Sequence, residues 1–168
     1  MSVAVRFVRL PLAALDALLA GDLEAASAEA GVPLTAYILE HGWLWEIRAK
    51  QVRRDPAAAD WVARAVVVDG LVVGHAGFHG PPDENGMVEV AYSVDPAYRR
   101  RGYATAMLEA AIAWAAADPA VRTVRASISP DNVASLATLR PFGFVEVGEQ
   151  WDEEDGLELL FERPVRPA

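Results

Sequence analysis

Any fold of this chain has to accommodate a strand, a helix and a second strand in direct succession near its middle. Met87–Val94 alternates and is rich in β-branched residues, so it reads as a strand that Asp95–Pro96 ends. After Gly102 the apolar residues Ala104, Met107, Leu108, Ala111, Ile112 and Ala115 have helical spacing, to about Ala117, where Asp118–Pro119 stops them. Val121–Ser129 is the second strand. A helical crossover of this length joins parallel neighbours, so Met87–Val94 and Val121–Ser129 should pair in parallel.

The remaining elements arrange themselves around that unit. Val3–Val8 reads as a strand, and Pro11 opens a helix to about Leu19 that Gly21 stops. Asp22 can cap a second short helix, ended by Gly31–Pro33; Leu34–Arg54 is helical with a break near Gly42, and Asp55–Pro56 terminates it. Trp61–Val68 and Leu71–His79 form a hairpin across Asp69–Gly70, followed by the loop Gly80–Gly86. Asp131 can cap a helix from Asn132 to about Arg140, stopped by Pro141; Phe144–Gln150 and Leu157–Phe161 form a last hairpin across Asp152–Gly156. The expectation is an α/β fold: a mixed, mostly antiparallel sheet of about seven strands with four or five helices, in one domain over 1–168.

The 168 residues are 53% hydrophobic, enough for a real core and too much for disorder. With no cysteines, disulfides, thiolate catalysis and Cys-type zinc sites are excluded, and a reducing compartment is favoured. The first ten residues lack the length and pattern of a signal peptide, and no apolar run approaches the roughly 18 residues a membrane helix needs. A soluble, cytoplasmic chain without a membrane partner is expected. The net charge of −9 argues against nucleic-acid binding. Residues 146–162 hold eight acids and no Lys or Arg: either a solvated hairpin or a rim that attracts a cationic substrate.

The crossover carries an electrostatic conflict. In "DPAYRRRGYATAML" three cations, Arg99, Arg100 and Arg101, stand where a helix begins. That end of a helix is already partially positive from its unpaired N–H groups. The conflict resolves if an anion binds there. Gly102 lets backbone approach a ligand, and the N–H groups of Arg100 to Thr105 then suit a pyrophosphate. The Gly-x-Gly-x-x-Gly turn of dinucleotide folds and the Gly-Lys-Ser/Thr of triphosphate loops are both absent.

Arg99-x-x-Gly102-x-Ala104 after a strand ending in "YSVDPAY" resembles the acetyl-CoA signature of the GNAT superfamily of N-acetyltransferases. "SISPDNVASLATLRPFGFVEVGE", from Ser127 to Glu149, resembles their second signature, with Asn-x-x-Ser on a helix and Gly-Phe opening the next strand. The resemblance covers roughly Trp61 to Phe161, and the N-terminal third matches in its strand–helix–helix plan alone. Its flavour is nearest to the ribosomal-protein N-terminal acetyltransferase branch.

The resemblance implies acetyl-CoA as co-substrate. Backbone groups of Tyr92, Ser93 and Val94 would bond its arm, and the loop of Arg99, Arg100, Arg101, Gly102, Tyr103, Ala104 and Thr105 would hold its pyrophosphate. Asn132 would bond the arm from the other side, or is simply a helix-start residue beside Asp131. Many members carry a tyrosine seven residues after that Asn; here the position is Leu139. Ser135 is then the candidate acid at the leaving sulfur, or a structural helix serine.

Glu89 is the leading candidate for the base, or else an exposed strand residue. His75 and His79 are candidate bases or substrate contacts. As a histidine pair they are weak metal evidence, and no metal is expected. Tyr37, His41, Trp43 and Trp45 would line the acceptor wall or belong to the core, and Trp151 with Asp152 to Asp155 would close the other side. The implied activity is acetyl transfer to a primary amine of a small molecule or a protein N-terminus. A non-catalytic acyl-CoA-binding or regulatory module, and a structural domain with an anion-binding helix, stand as alternatives. Dimerisation is an expectation from the resemblance, without support in the residues.

Overall fold

A computed structural model describes residues 3–167. Its strands are β1 (Arg6–Arg9), β2 (Arg64–Val68), β3 (Leu71–Phe78), β4 (Met87–Val94), β5 (Thr123–Ile128), β6 (Val145–Asp152) and β7 (Gly156–Pro164). The helices are α1 (Leu12–Leu19), α2 (Leu23–Ala30), α3 (Ala36–Leu39), α4 (Gly42–Arg54), α5 (Tyr103–Ala116) and α6 (Val133–Leu139). The strands form one sheet in the order β1-β2-β3-β4-β5-β7-β6, and only β4 and β5 pair in parallel. No helix among the described residues is long and apolar enough to cross a membrane.

Most sequence boundaries hold. Asp69 and Gly70 both take positive φ (50° and 78°), the conformation of a tight hairpin turn. Asp22 caps α2 by accepting from Ala25 N–H. Several boundaries move, among them the end of β7, which runs on to Pro164 rather than Phe161. β1 starts at Arg6 rather than Val3, because its partner β2 ends at Val68, one residue past the Arg6↔Val67 pair. β2 starts at Arg64 rather than Trp61, because Ala63 sits at φ 53° and breaks the extended run. Leu34–Arg54 divides into two helices, so there are six where four or five were expected.

Alternation assigns the two faces of the sheet. Ala65 and Val67 of β2 pack with Leu15, Ile38 and Trp45 of α1, α3 and α4; Val66 and Val68 pack with Met107 of α5. In β3 the alternation is interrupted. Val66 pairs with Gly74 and Val67 with Val72, so Val73 is an extra residue, a β-bulge. Val73 and Gly74 both lie towards Met107. A Cβ on Gly74 would stand 2.0 Å from the Ser93 carbonyl oxygen, which makes this a glycine position by contact.

Two irregularities open the sheet. β4 and β5 share only the pairs Met87↔Thr123, Val88↔Val124 and Glu89↔Arg125, while β4 continues to Val94. The strands then part, leaving a slot in the middle of the sheet. At the far side β6 is exposed at every position from Val145 to Trp151, so the β6–β7 hairpin projects as one wall beside that slot.

Candidate active site

The slot opens into a cleft of about 1170 Å³ between α4, β4, β5, the start of α6 and the β6–β7 hairpin. Of the residues expected at the site, His41, Trp43, His75, His79, Glu89, Tyr92, Ser93, Asn132, Ser135 and Trp151 all line it. Tyr37 stands behind them: its hydroxyl bonds Ser93 Oγ and its ring stacks on His75 at 6.0 Å. Trp45, by contrast, is core, 1% exposed, with its Nε1–H donating to Ile38 O.

Backbone direction in β4 decides what that strand can offer. His79 N–H donates to Glu89 O, and Asp95 N–H donates to Val73 O. Antiparallel pairing alternates bonded and non-bonded residues, so Glu89, Ala91 and Ser93 spend their backbone groups on β3. Val90, Tyr92 and Val94 turn theirs towards the slot. Tyr92 thus has its backbone groups on the slot side, whereas the Ser93 carbonyl faces Gly74 and its hydroxyl bonds that of Tyr37. The Val94 carbonyl accepts from Arg99 Nε at 3.1 Å.

The arginine loop follows directly. Arg100 (φ 63°) and Gly102 (φ 81°) both adopt left-handed conformations, which tilts successive N–H groups to one side. No side chain among the described residues caps α5. A Cβ on Gly102 would meet nothing within 4 Å, so backbone conformation rather than crowding within the protein requires glycine there. Arg101 lies over the Tyr98 ring at 5.5 Å. Tyr103 and Ala104 pack on the Val66–Met107 core, leaving their backbone for a ligand. None of the three arginines has an ion-pair partner among the described residues.

At the centre of the cleft Glu89 Oε2 accepts from His79 Nδ1 at 3.0 Å. Burial raises the Glu89 pKa; the Ser127 hydroxyl and the charges of Arg125 and Arg48 pull it down by less. Burial, then the Arg48 charge, lowers that of His79, although half of its side chain still meets solvent. With His79 neutral, Nδ1 carries the hydrogen that Glu89 accepts. His41 has the same tautomer, fixed by its Nδ1–Tyr37 O contact of 2.7 Å, since a carbonyl only accepts.

His75 is different. Its ring is 7% exposed, packed edge-on against Trp45 (5.2 Å) and His41 (4.8 Å), and its Nε2 has no partner. Burial lowers its pKa to about 3, so it is neutral. The buried side-chain polar atoms without a partner among the described residues are His75 Nε2, Tyr92 Oη and Ser127 Oγ, and all three belong to residues lining this cleft. The Ser127 hydroxyl lies against the Glu89 carboxylate, while His75 Nε2 on the α4 side of the sheet and Tyr92 Oη on the α5 side are left unanswered, where buried polar groups are ordinarily satisfied.

One expectation at α6 changes. Asn132, not Asp131, caps the helix: its Oδ1 accepts from Ser135 N–H at 3.1 Å, and only the amide nitrogen is left for a ligand. Leu139 is 2% exposed in the core, so nothing there replaces the missing tyrosine. Several cleft residues were not foreseen, among them Arg48, Ser127 and Glu158. Arg48 of α4, 8% exposed, donates to Gln51 Oε1 at 2.8 Å and sits near Glu89. A basic residue inside an amphipathic helix reads as solvated, and only the fold turns it inward.

A family model described as an acetyltransferase (GNAT) domain matches residues 12–145. Among curated proteins, an uncharacterized N-acetyltransferase of Bacillus subtilis (strain 168), YjdG, is 38% identical over 74 residues, 44% of this chain and 44% of that protein. The match thus spans less than half of that relative. The apo structure of RimL, a ribosomal L7/L12 alpha-N-protein acetyltransferase, superimposes with a TM-score of 0.67, covering 100% of this chain and 97% of that one at 14% identity. The microcin C7 self-immunity acetyltransferase MccE, in complex with acetyl-CoA and AMP, has a TM-score of 0.66 over 95% and 92% of the two chains at 13% identity. At such identities the likeness is one of fold.

Proposed function

The chain belongs to the GNAT acetyltransferase family, whose co-substrate is acetyl-CoA, and from that premise we propose that it acetylates a primary amine, on a small molecule or a protein N-terminus, within this cleft. The observation that carries the reading is the open inner edge of β4. It runs from Val90 to Val94 straight into the left-handed turn at Arg100 and Gly102 and the uncapped start of α5. A strand edge followed by convergent N–H groups suits an extended, amide-bearing arm that ends in phosphates. When bound, acetyl-CoA supplies an acetyl thioester whose carbonyl carbon an amine attacks, the C–S bond breaking with its electron pair on sulfur.

The chain's own groups then have these tasks. Glu89, with its raised pKa and the His79 hydrogen bond, receives the proton that the amine nitrogen sheds. Arg48 and the buried surroundings favour the neutral amine over the ammonium. Ser135 Oγ offers its hydrogen to the leaving sulfur, and the Asn132 cap fixes the turn that carries it. His41, Tyr37 and Ser93 form a bonded block that holds the floor in place. One catalytic domain comprises the whole chain in this reading.

CoA release measured against a panel of amines, amino acids and short peptides tests the proposal. Turnover with at least one amine, lost in Glu89→Gln while acetyl-CoA affinity persists, is the expected result. Acetyl-CoA binding without turnover of any amine would instead favour a non-catalytic module, a reading that buried Leu139 supports. Undiminished acetyl-CoA affinity in Gly102→Glu would sink the phosphate assignment.

A further inference from the structure

A row of ionisable side chains crosses four neighbouring strands of the sheet. Glu89 of β4 stands in register with Arg125 of β5, and Arg125 with Glu162 of β7. On the other side of Glu89 is His79, just past the end of β3, which donates its N–H to Glu89 O and holds Nδ1 at 3.0 Å from Glu89 Oε2. All four side chains lie on the α4 side of the sheet. Their strand neighbours Phe78, Val88, Val124 and Phe161 pack in the core beneath α5 with Leu108, and alternation sends the residues beside them the other way.

Glu89 thus stands between a neutral donor and a cation, and it is bonded to the neutral one. Arg125 commits Nε and Nη2 to Glu162 Oε2, the Nε bond measuring 3.0 Å. Among the described residues it makes no ion pair with Glu89. The other groups around the carboxylate are the Ser127 hydroxyl of β5 and the guanidinium of Arg48 on α4, which donates to Gln51 Oε1 at 2.8 Å. Glu158 of β7 acts on His79. Glu89, Ser127 and Arg48 line the cleft, whereas neither Arg125 nor Glu162 does.

A guanidinium bonded to a carboxylate holds it ionised and makes it a poor proton acceptor. Arg125 is well placed to do this to Glu89, since adjacent strands lie about 4.8 Å apart and both side chains are on one face. Glu162 stands one strand away on the other side, so two carboxylates compete for one cation. Resting on the acetyltransferase reading above, we propose that Glu162 is a positioning residue for the base: it holds Arg125 towards β7, keeps that cation off Glu89, and leaves the Glu89 carboxylate to His79, Ser127 and the acceptor amine.

A double-mutant cycle on the full chain tests this: wild type, Glu162→Gln, Arg125→Gln and the two together. The Glu89 carboxyl is titrated by NMR in protein labelled with carbon-13 at glutamate, its signal identified by its loss in Glu89→Gln. In Glu162→Gln the released Arg125 turns to Glu89, and the Glu89 midpoint should fall by about one pH unit or more. The acidic limb of kcat/KM should move down with it. In the Arg125→Gln background the same Glu162→Gln change should move the midpoint far less, because it then removes a distant charge and frees no cation.

Glu162→Asp supplies a second variant, which keeps the charge and shortens the arm by one methylene. It should give a downward shift smaller than that of Glu162→Gln, and it decides the matter if the glutamine variant does not fold. A Glu89 midpoint unmoved in every Glu162 variant that folds, or a shift of equal size with and without Arg125, overturns the proposal. If no amine is acetylated, the acetyltransferase reading fails while the NMR titration still decides this one.

Discussion

On the α5 side of the sheet, Trp61, Phe78 and Trp114 pack with Arg64. On the α4 side, Tyr37, His41, Trp45 and His75 pack with Ser93. Both groups place aromatic rings 4.6–6.1 Å apart and both include groups that ionise. In the first, Arg64 lies over Trp114 at 4.8 Å and its two terminal nitrogens donate to the carbonyls of Ala59, Asp60, Val62 and Ala63. In the second, His75 Nε2 has nothing. One cluster is finished by the protein itself, and the other keeps one buried nitrogen unanswered. Aromatic packing alone does not distinguish structure from site; satisfaction of the polar atoms does.

The largest test of this contrast is Phe78→Ala. Phe78 is fully buried in the finished cluster, and its loss should cost about 3–5 kcal/mol of stability in denaturant titrations while activity per folded molecule persists. A selective loss of turnover at unchanged stability would erase the distinction. Next is Glu89→Gln, expected to lower kcat/KM at neutral pH about a hundredfold. The wild-type rate should rise with pH through a titration above the ordinary glutamate range, because burial raises that pKa, and the variant's profile should lose this limb. Because the folded state binds the Glu89 proton more tightly, ionised Glu89 weakens folding at neutral pH, so the variant should also melt higher.

Gly102→Ala should cost about 1–2 kcal/mol by backbone strain at φ 81°, seen as a lower Tm, since no atom lies near the added methyl. The smallest effect is expected at His75→Phe: a gain of about 1 kcal/mol on removing an unsatisfied buried group, with weaker acceptor binding. The sign of its pH dependence is set by depression of the His75 pKa from 6.5 to about 3. Stabilisation by neutral His75 is complete above pH 6.5 and is lost as pH falls towards 3, because the unfolded chain takes up the proton first. Tm measured from pH 7.5 to 5 should fall less steeply in the variant.

Much of the scaffold is legible in the residues. Asp69–Gly70, the Asp22 cap and the β4–α5–β5 crossover each depend on local chemistry, and each stands where its chemistry places it. The arginines beside Gly102 pointed to an anion because their conflict with the helix dipole is also local. What the residues did not disclose depends on contacts distant in sequence. The Val73 bulge exists only relative to β2, and the orientation of the Ser93 carbonyl only relative to β3. Arg48 enters the cleft because α4 packs one particular face on the sheet, and no composition or period says which arginine that will be. Asn132 and Asp131 are equally good caps by chemistry; the backbone entering α6 selects Asn132.

The parting of β4 from β5 after three residue pairs also bears on how long the molecule lasts. An interior strand edge with no neighbour is a weak point, and a ligand that docks there in the folded state alone shifts the balance by mass action. At a hundred times its dissociation constant such a ligand adds about 2.7 kcal/mol. A shift of that size lowers the unfolded fraction about a hundredfold, and with it the share of chains open to proteolysis. Abundance of the protein would then follow the supply of the molecule that fills the gap, with no regulator other than the sheet itself.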